Sequence, residues 1–347
     1  NGKILMIKNK TFKILVRVDG GKSIGLGHVY NMITVLSKFR NNEILILMNK
    51  KNSLGKEKFV ENLYNVKYFS SKKQLFAKIE KFKPDIIFND ILNTKIDYMK
   101  KLRENGAWIV NFEDVGNGRR FSDLVINPIF STKIKFQNEY YGSEFACVRD
   151  EFGIGKKNRL RKEVKKICIT LGGVDNKNNT QRIMEIIQKN ELLKDVEINL
   201  ILGFGFRYKI RLMRLINLMR RNGYKINIIE KTDFISRYIV DCDFIISSNG
   251  RTIFEIASLG NPIIALSVNA RETEHSFVKY TKTGYQINTM KKGFEKELVN
   301  AINKISVYKK RKKFFDKLKK IDVKNGIEKV FLLIKLAYEK KEREIKS

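Results

Sequence analysis

The chain has 347 residues, 43% of them hydrophobic, and a formal net charge of +33. Its length and apolar content suit two domains with a core each, and no apolar run is long enough to predict a membrane-spanning helix. No secretory signal is visible. The first residue is Asn rather than Met, so we expect a cytoplasmic protein whose extreme N-terminus is missing or continues from another domain.

The excess of positive charge does not by itself predict a nucleic-acid partner. The lysines are spread over the whole sequence, and it contains neither a zinc-finger pattern nor a basic stripe with interleaved aromatic residues. The positive field instead favours capture of an anion such as a nucleotide diphosphate. Cys147, Cys168 and Cys242 lie far apart without metal-ligand spacing, so we expect buried, reduced thiols.

The first half of the chain alternates apolar segments with helical patterns. The predicted strands are Phe12–Val18, Glu43–Met48, Val66–Phe69, Asp85–Asn89, Trp108–Phe112 and Leu124–Asn127, and two predicted helices are Ser71–Phe82 and Thr94–Glu104. Continuous apolar strands between helices indicate a parallel sheet covered on both faces. A polar, basic stretch then interrupts the alternation, so we predict a Rossmann-like domain over residues 1–152 and a linker over 153–165.

The alternation resumes after the linker and predicts a second Rossmann-like domain over residues 166–322. Its predicted strands are Ile167–Leu171, Val196–Leu202, Ile226–Ile229, Asp243–Ser247 and Pro262–Ser267, with helices at Asn179–Gln188, Phe234–Val240 and Arg251–Leu259 and one ending at Arg221. A C-terminal helix follows at 323–347, and its apolar run either packs back on the domains or contacts an anionic membrane surface. Both domains would present glycine loops to a cleft between them.

A glycine-rich loop joins the first predicted strand to a helix start. Gly25 and Gly27 let the backbone turn tightly and approach a ligand, and the amides of the first helical turn form an anion site. His28 stands at that helix start, where a neutral imidazole can take a proton from water or a hydroxyl near neutral pH. We count His28 and Asp19, which begins the loop, as catalytic candidates. The alternative is a loop without chemistry.

A second glycine turn precedes a short helix in the other predicted domain. The backbone amides of Asn249, Gly250, Arg251 and Thr252 can hold a diphosphate, with the Thr252 hydroxyl as an added donor. Glu255 lies one helical turn further on, where its carboxylate can accept both hydroxyls of a ribose. The alternatives for Glu255 are a carboxylate stabilised by the helix dipole and an ion pair with Arg251.

Other polar or glycine residues at predicted strand ends are weaker candidates. Gly172 and Gly173 form a turn that we assign to nucleotide binding. The remaining residues of this kind, taken as substrate-binding candidates, are Asp90, Asp114, Glu272 and His275. For Glu272 and His275 the alternative is a polar helix start with both side chains in solvent.

Taken in order, these segments resemble a known family. They are similar to the nucleotide-sugar hydrolases of the pseudaminic acid pathway (PseG) and the related spore-coat polysaccharide protein SpsG, with a second half similar to MurG-like GT-B transferases. The resemblance covers residues 12 to 290 and is carried by Arg17-Val18-Asp19, Ile24-Gly25-Leu26-Gly27-His28-Val29, Asp90, Glu113-Asp114, Phe145 to Phe152, Leu171 to Asp175 and Ser248 to Glu255.

The resemblance implies a GT-B fold of two Rossmann-like domains, with UDP held mainly by the C-terminal one. His28 would activate water for attack on the anomeric carbon, and Thr252 and Glu255 would contact the diphosphate and the ribose. Arg149 would join the substrate-binding residues. The scheme needs no metal and no cofactor.

Two segments depart from the family pattern. The family commonly has an arginine two positions after its Gly-His-Val, whereas Tyr30 and Asn31 follow here, which removes one cation. The second glycine segment reads Ser-Asn-Gly-Arg-Thr instead of a Gly-Gly-Ser-Thr type. Relatives of this group also occur fused to a cytidylyltransferase, and a cut at such a junction would fit the first ten residues.

Three functions are compatible with these observations. We expect hydrolysis of a UDP-linked acetamido sugar that releases UDP and a free sugar for nonulosonic acid or surface polysaccharide synthesis. The alternative is a GT-B glycosyltransferase that passes the sugar to an alcohol or lipid acceptor. A third, non-catalytic reading is a nucleotide- or nucleic-acid-binding protein that uses the positive charge.

Overall fold

The computed structural model describes residues 11–21, 24–130, 136–153, 160–230 and 232–346. Four predicted features therefore lie wholly or partly outside the described residues: the tail of residues 1–10, Lys22 and Ser23 of the first glycine loop, 154–159 of the linker, and residue 347 at the end of the C-terminal helix. The strands are β1 (Lys13–Val18), β2 (Glu43–Asn49), β3 (Asn65–Phe69), β4 (Ile86–Asp90), β5 (Trp108–Phe112), β6 (Leu124–Asn127), β7 (Glu139–Tyr141), β8 (Lys166–Thr170), β9 (Glu197–Leu202), β10 (Lys225–Glu230), β11 (Phe244–Ser248), β12 (Ile263–Ser267) and β13 (Gly284–Asn288). The helices are α1 (Gly27–Leu36), α2 (Lys56–Glu61), α3 (Lys72–Phe82), α4 (Ile96–Arg103), α5 (Asn179–Lys189), α6 (Lys209–Arg221), α7 (Ser236–Ile239), α8 (Thr252–Leu259), α9 (Ala270–Glu274), α10 (Phe277–Thr281), α11 (Phe294–Ser306), α12 (Tyr308–Lys319) and α13 (Gly326–Lys346).

The chain divides into two compact units. Unit 1 consists of Asn1–Cys147 and Asn325–Ser347, and unit 2 is Val148–Lys324. The predicted first domain extended to residue 152, whereas the structure assigns 148–152 to unit 2. The physical reason is that Arg149 and Glu151 are bonded to groups of that unit, at Glu255 and Ser236 respectively.

Unit 1 is built on a parallel sheet with the order β3-β2-β1-β4-β5-β6-β7. Apolar side chains of the central strands are buried on both faces, against α1 and α13 on one side and α3 and α4 on the other. The strand order reverses between β1 and β4, and in open α/β sheets ligands bind beyond the carboxyl ends of the strands at such a reversal. Val18 and Asp90 stand opposite each other at these two ends.

Unit 2 repeats this design with the order β10-β9-β8-β11-β12-β13, again with parallel pairing. Its core is formed by the buried faces of the strands and of α5, α6 and α11. The order reverses between β8 and β11, where Thr170 pairs with Ser247. The prediction of two doubly wound α/β units is therefore confirmed.

The C-terminal helix α13 belongs to the core of unit 1. Ile327, Val330, Ile334 and Tyr338 are buried in that core, and the Tyr338 ring meets the rings of Phe12 at 5.2 Å and Trp108 at 5.4 Å. The apolar side of α13 is thus used for packing within its own unit. Within the described ranges, no helix combines the length and the hydrophobicity that crossing a bilayer requires.

None of the three cysteines, all of them among the described residues, forms a disulfide. Cys168 and Cys242 are buried, as expected, and burial raises the pKa of the Cys168 thiol well above its ordinary value. Cys147 is only half-buried, which corrects the expectation for that residue. It lies outside the apolar strands, in the irregular segment that ends the first part of unit 1.

Candidate functional site

The loop before α1 requires glycine at specific positions. A Cβ atom on Gly20 would lie 2.0 Å from the backbone oxygen of Leu54, so no other residue fits there without a shift of the chain. Gly25 has a φ of +74°, in the left-handed region that favours glycine. Gly21 and Gly25 exchange two backbone hydrogen bonds, of 3.1 and 2.7 Å, which close the loop tightly before the helix. Gly27 is the first residue of α1, and this geometry places His28 in its first turn.

His28 is bonded to Asp90 at the point where the strand order of unit 1 reverses. The imidazole Nδ1 donates a hydrogen bond to Oδ1 of Asp90, and the His28 side chain is 7% exposed while that of Asp90 is fully buried. Asn31, one turn along α1, donates from Nδ2 to the other Asp90 oxygen at 2.6 Å. In the neutral ring, a proton on Nδ1 makes Nε2 the basic nitrogen. The three residues therefore fix the orientation and the tautomer of a buried base.

Glu113 completes a cluster of potential metal ligands around His28. Its Oε2 lies 3.8 Å from His28 Nδ1, and the ligand atoms of His28, Asp90 and Glu113 all fall within 4.8 Å of one another. Glu113 follows β5 with a φ of +54°, a backbone conformation that costs a non-glycine residue about 1 kcal/mol or more. One imidazole and two carboxylates are a donor set that a divalent cation accepts. The sequence named Glu113 only as part of a motif, and its place after a strand is the signal that could have found it.

Asp19 and Asp114, the other carboxylates of unit 1 predicted as site residues, are bonded to groups other than His28. Asp19 forms a double ion pair with Arg17, with both N–O distances at 2.7 Å, and also accepts a hydrogen bond from the Asn49 amide. Asp114 accepts four hydrogen bonds, from the amide and hydroxyl of Thr94 and from Asn111 and Gly116. The structure therefore brings Asp90 to His28, whereas Asp19 and Asp114 tie together the ends of neighbouring strands.

The second glycine segment starts α8 of unit 2. Asn249 and Gly250 follow β11, and Thr252 is the first residue of the helix with its amide among the unpaired donors of the first turn. Gly172, with a φ of +74°, follows β8, and a Cβ atom there would lie 3.4 Å from the Ser248 hydroxyl. Gly172 and the start of α8 therefore both lie at the reversal of strand order in unit 2. The Asn249 amide, predicted to hold a diphosphate, instead donates to the Leu266 oxygen at 2.9 Å and to Glu272, which corrects that expectation.

Glu272 and His275, predicted to bind substrate, form hydrogen bonds with Asn249 that hold this segment in place. The Asn249 side chain donates to the backbone oxygens of Glu272 at 2.8 Å and His275 at 2.7 Å. In return, Glu272 Oε2 accepts from the Asn249 amide, and His275 Nδ1 lies 2.8 Å from the Asn249 oxygen. Burial lowers the pKa of His275 to about 4, so the ring is neutral at pH 7 and Nδ1 is the donor.

Glu255 is paired with an arginine that the sequence did not connect to it. Arg149 Nε and Nη2 donate to the two Glu255 oxygens at 2.6 and 3.1 Å. The alternatives considered from the sequence were the helix dipole and Arg251, both local to α8. Arg149 lies 106 residues earlier in the chain, so only the fold brings the two together.

Two doubly wound parallel sheets, each with a glycine loop at its reversal point, define the class of protein: the chain has the GT-B fold. It aligns with MurG of Acinetobacter baumannii with a TM-score of 0.65, covering 93% of this chain and 99% of that one at 13% identity. It also aligns with HepE of Anabaena, solved in complex with UDP and glucose, with a TM-score of 0.59 over 93% of this chain and 99% of that one at 15% identity.

Sequence comparison finds more specific relatives. The chain is 31% identical to the uncharacterized protein MJ1062 of Methanocaldococcus jannaschii over 302 residues, or 81% of this chain and 61% of that protein. It is 25% identical to the spore coat polysaccharide biosynthesis protein SpsG of Bacillus subtilis over 268 residues, or 74% of this chain and 77% of that protein. The chain thus spans about three fifths of the first relative's length, and no family model matches it.

Proposed function

We propose that this chain is an enzyme that hydrolyses a UDP-linked acetamido sugar at its anomeric carbon. The buried His28–Asp90 pair at the reversal of strand order in unit 1 is the observation that carries the proposal. The similarity to SpsG and the GT-B fold, shared with a protein solved with UDP and glucose, support a nucleotide-sugar substrate. The free sugar would feed the synthesis of a nonulosonic acid or another surface polysaccharide component.

In the proposed reaction His28 acts as the general base. Water attacks the anomeric carbon while Nε2 of His28 accepts its proton, the bond from that carbon to the diphosphate oxygen breaks, and UDP leaves with the electron pair. Asp90 stabilises the imidazolium that forms, because its carboxylate already accepts a hydrogen bond from Nδ1–H. A positioned base of this kind accelerates a reaction by about 10²- to 10⁴-fold.

Unit 2 would hold the UDP part of the substrate. The Thr252 amide and hydroxyl at the start of α8 are the proposed donors to the diphosphate, where they stabilise the charge that develops on the leaving group. Glu255 is the proposed acceptor for the ribose hydroxyls. Asn249, Glu272 and His275 keep this segment in place through the hydrogen bonds described above.

A glycosyltransferase is the second candidate, and the likeness to MurG favours it. The same base would then take the proton from an alcohol instead of water. Incubation with UDP-linked N-acetylated sugars, without any acceptor, separates the two. Release of UDP by the wild type and its loss in His28→Asn support the hydrolase, whereas saturable UDP binding without release from any substrate contradicts it and favours the transferase.

A further inference from the structure

Arg149 is fixed at both ends of its guanidinium in unit 2. Two of its nitrogens, Nε and Nη2, each donate a hydrogen bond to one oxygen of Glu255, and we call this bidentate pair the fork. The third nitrogen, Nη1, lies 2.7 Å from Oε1 of Glu151. The guanidinium also stacks over the Phe152 ring at 5.1 Å. The side chains of Arg149 and Glu255 are 18% and 10% exposed. A two-pronged pair at this burial has one well-defined geometry, since a shift of either group breaks both hydrogen bonds.

The same group of residues joins three segments of unit 2. Glu151 Oε2 accepts a hydrogen bond from the Ser236 amide at the start of α7, at 2.9 Å. Burial raises the pKa of Glu151, while Arg149 and the Ser236 amide oppose that effect. Arg149 thus connects the segment at residues 148–152 to the first turn of α8, and Glu151 connects it to α7.

We propose that Arg149 is a positioning residue that holds the Glu255 carboxylate correctly oriented for the ribose of a uridine nucleotide; this inference rests on the proposed function. A carboxylate has about four acceptor positions, and the fork occupies two of them, which leaves two for the ribose hydroxyls. The guanidinium also offsets the charge of Glu255, which would otherwise repel a diphosphate bound at the same helix start. Glu255 therefore discriminates ribose from deoxyribose only while Arg149 holds it.

Ribose discrimination is the property that tests this role. A hydrogen bond to a charged group contributes about 1.5–3 kcal/mol, which corresponds to about a ten- to hundredfold change in affinity. The wild type should therefore bind UDP about ten- to hundredfold more tightly than 2′-deoxy-UDP, as measured by calorimetry. In Arg149→Gln this ratio should fall to near one, because the fork and the charge are both lost.

Two further variants keep the test decisive. Arg149→Lys retains the charge without the fork, so its preference for UDP over 2′-deoxy-UDP should also fall to near one. This variant tests the role of Arg149 if Arg149→Gln does not fold. Arg161→Gln is the matched control, because Arg161 pairs with Asp241 and Asp243 in the same unit and should leave the ratio unchanged. Thermal melting of each variant reports whether it is folded.

The outcomes separate this inference from the proposed function. A wild type that binds no UDP contradicts the proposed function itself. A wild type that binds UDP and 2′-deoxy-UDP equally contradicts the role of Glu255, and the role of Arg149 falls with it. A wild type that discriminates, together with folded Arg149 variants that discriminate equally well, overturns the positioning role of Arg149 alone.

Discussion

The imidazole Nδ1–H of His28 donates a hydrogen bond to Asp90, a residue 62 positions further along the chain. The partners come from α1 and from the end of β4, which meet because β1 and β4 are neighbours in the sheet. A carboxylate in this position holds the ring with its proton on Nδ1, which leaves Nε2 as the nitrogen that can accept a proton. This pair is the feature of unit 1 on which the proposed function rests.

Asp90→Asn should slow UDP release by about 10²- to 10⁴-fold with little change in KM. The amide keeps the shape of the side chain but no longer stabilises the imidazolium. Steady-state UDP release measures the effect, and thermal melting checks the fold. Asp19→Asn is the comparison, because Asp19 is paired with Arg17 instead of His28. An Asp90→Asn enzyme with wild-type kcat would remove Asp90 from the mechanism.

His275 should make the protein less stable in mild acid. Its pKa is lowered to about 4 in the folded protein, against about 6.5 in the unfolded chain. Between these values the unfolded chain binds a proton that the folded protein does not, so stability decreases as the pH falls from about 6.5 toward 4. The expected loss is about 2 kcal/mol at pH 5 relative to pH 7.

Urea unfolding at pH 7 and pH 5 tests this expectation, with His275→Gln as the reference. The variant should be less stable than the wild type at pH 7, because the hydrogen bond to the Asn249 oxygen is altered. Its stability should fall less between the two pH values. An equal fall in both proteins would show that His275 does not carry the acid sensitivity.

Removal of divalent metal should leave UDP release unchanged. His28, Asp90 and Glu113 have the spacing of a metal site, but the proposed mechanism uses His28 as a base. The experiment compares rates after treatment with EDTA and after addition of Mg²⁺ or Mn²⁺. Loss of activity with EDTA and its return with one of these ions would instead assign the cluster to metal binding, with Glu113→Gln as the variant that confirms it.

Tyr338→Ala should destabilise unit 1 by about 3–5 kcal/mol, the usual cost of truncating a large buried aromatic side chain. Tyr338 is 8% exposed and contacts Phe12 and Trp108. Leu336→Ala is the matched control on the same helix, since Leu336 is 55% exposed and should cost less than about 1 kcal/mol. Similar losses for both variants would contradict the packing of α13 described above.

The sequence predicted the alternation of strands and helices well, because each buried strand is a continuous apolar run bounded by polar turns. It missed β7 and β13, which are short and polar, reading Glu-Tyr-Tyr and Gly-Tyr-Gln-Ile-Asn. Such edge segments become strands through pairing with a neighbour, at Ile126 and Leu266 for example. Local patterns do not contain that information.

The candidate site was predictable only in part, for a related reason. Glycine loops and helix starts are local, so His28 and Thr252 were identified directly. The partners of His28 and Glu255 come from distant segments, Asp90 and Arg149, and their pairing depends on the order of the strands and on the course of the chain. Local spacing instead suggested Arg251 for Glu255, and it gave Asp90 no connection to His28.

The position of α13 has a consequence for the order of events during synthesis. Unit 2 is one continuous stretch of chain, whereas unit 1 is complete only when the residues from Asn325 onward have been made. A ribosome therefore produces all of unit 2 before it produces α13, the helix that covers the apolar surface around Phe12 and Trp108. The later unit in the sequence can finish folding first, and the earlier one keeps apolar surface exposed until α13 has been made.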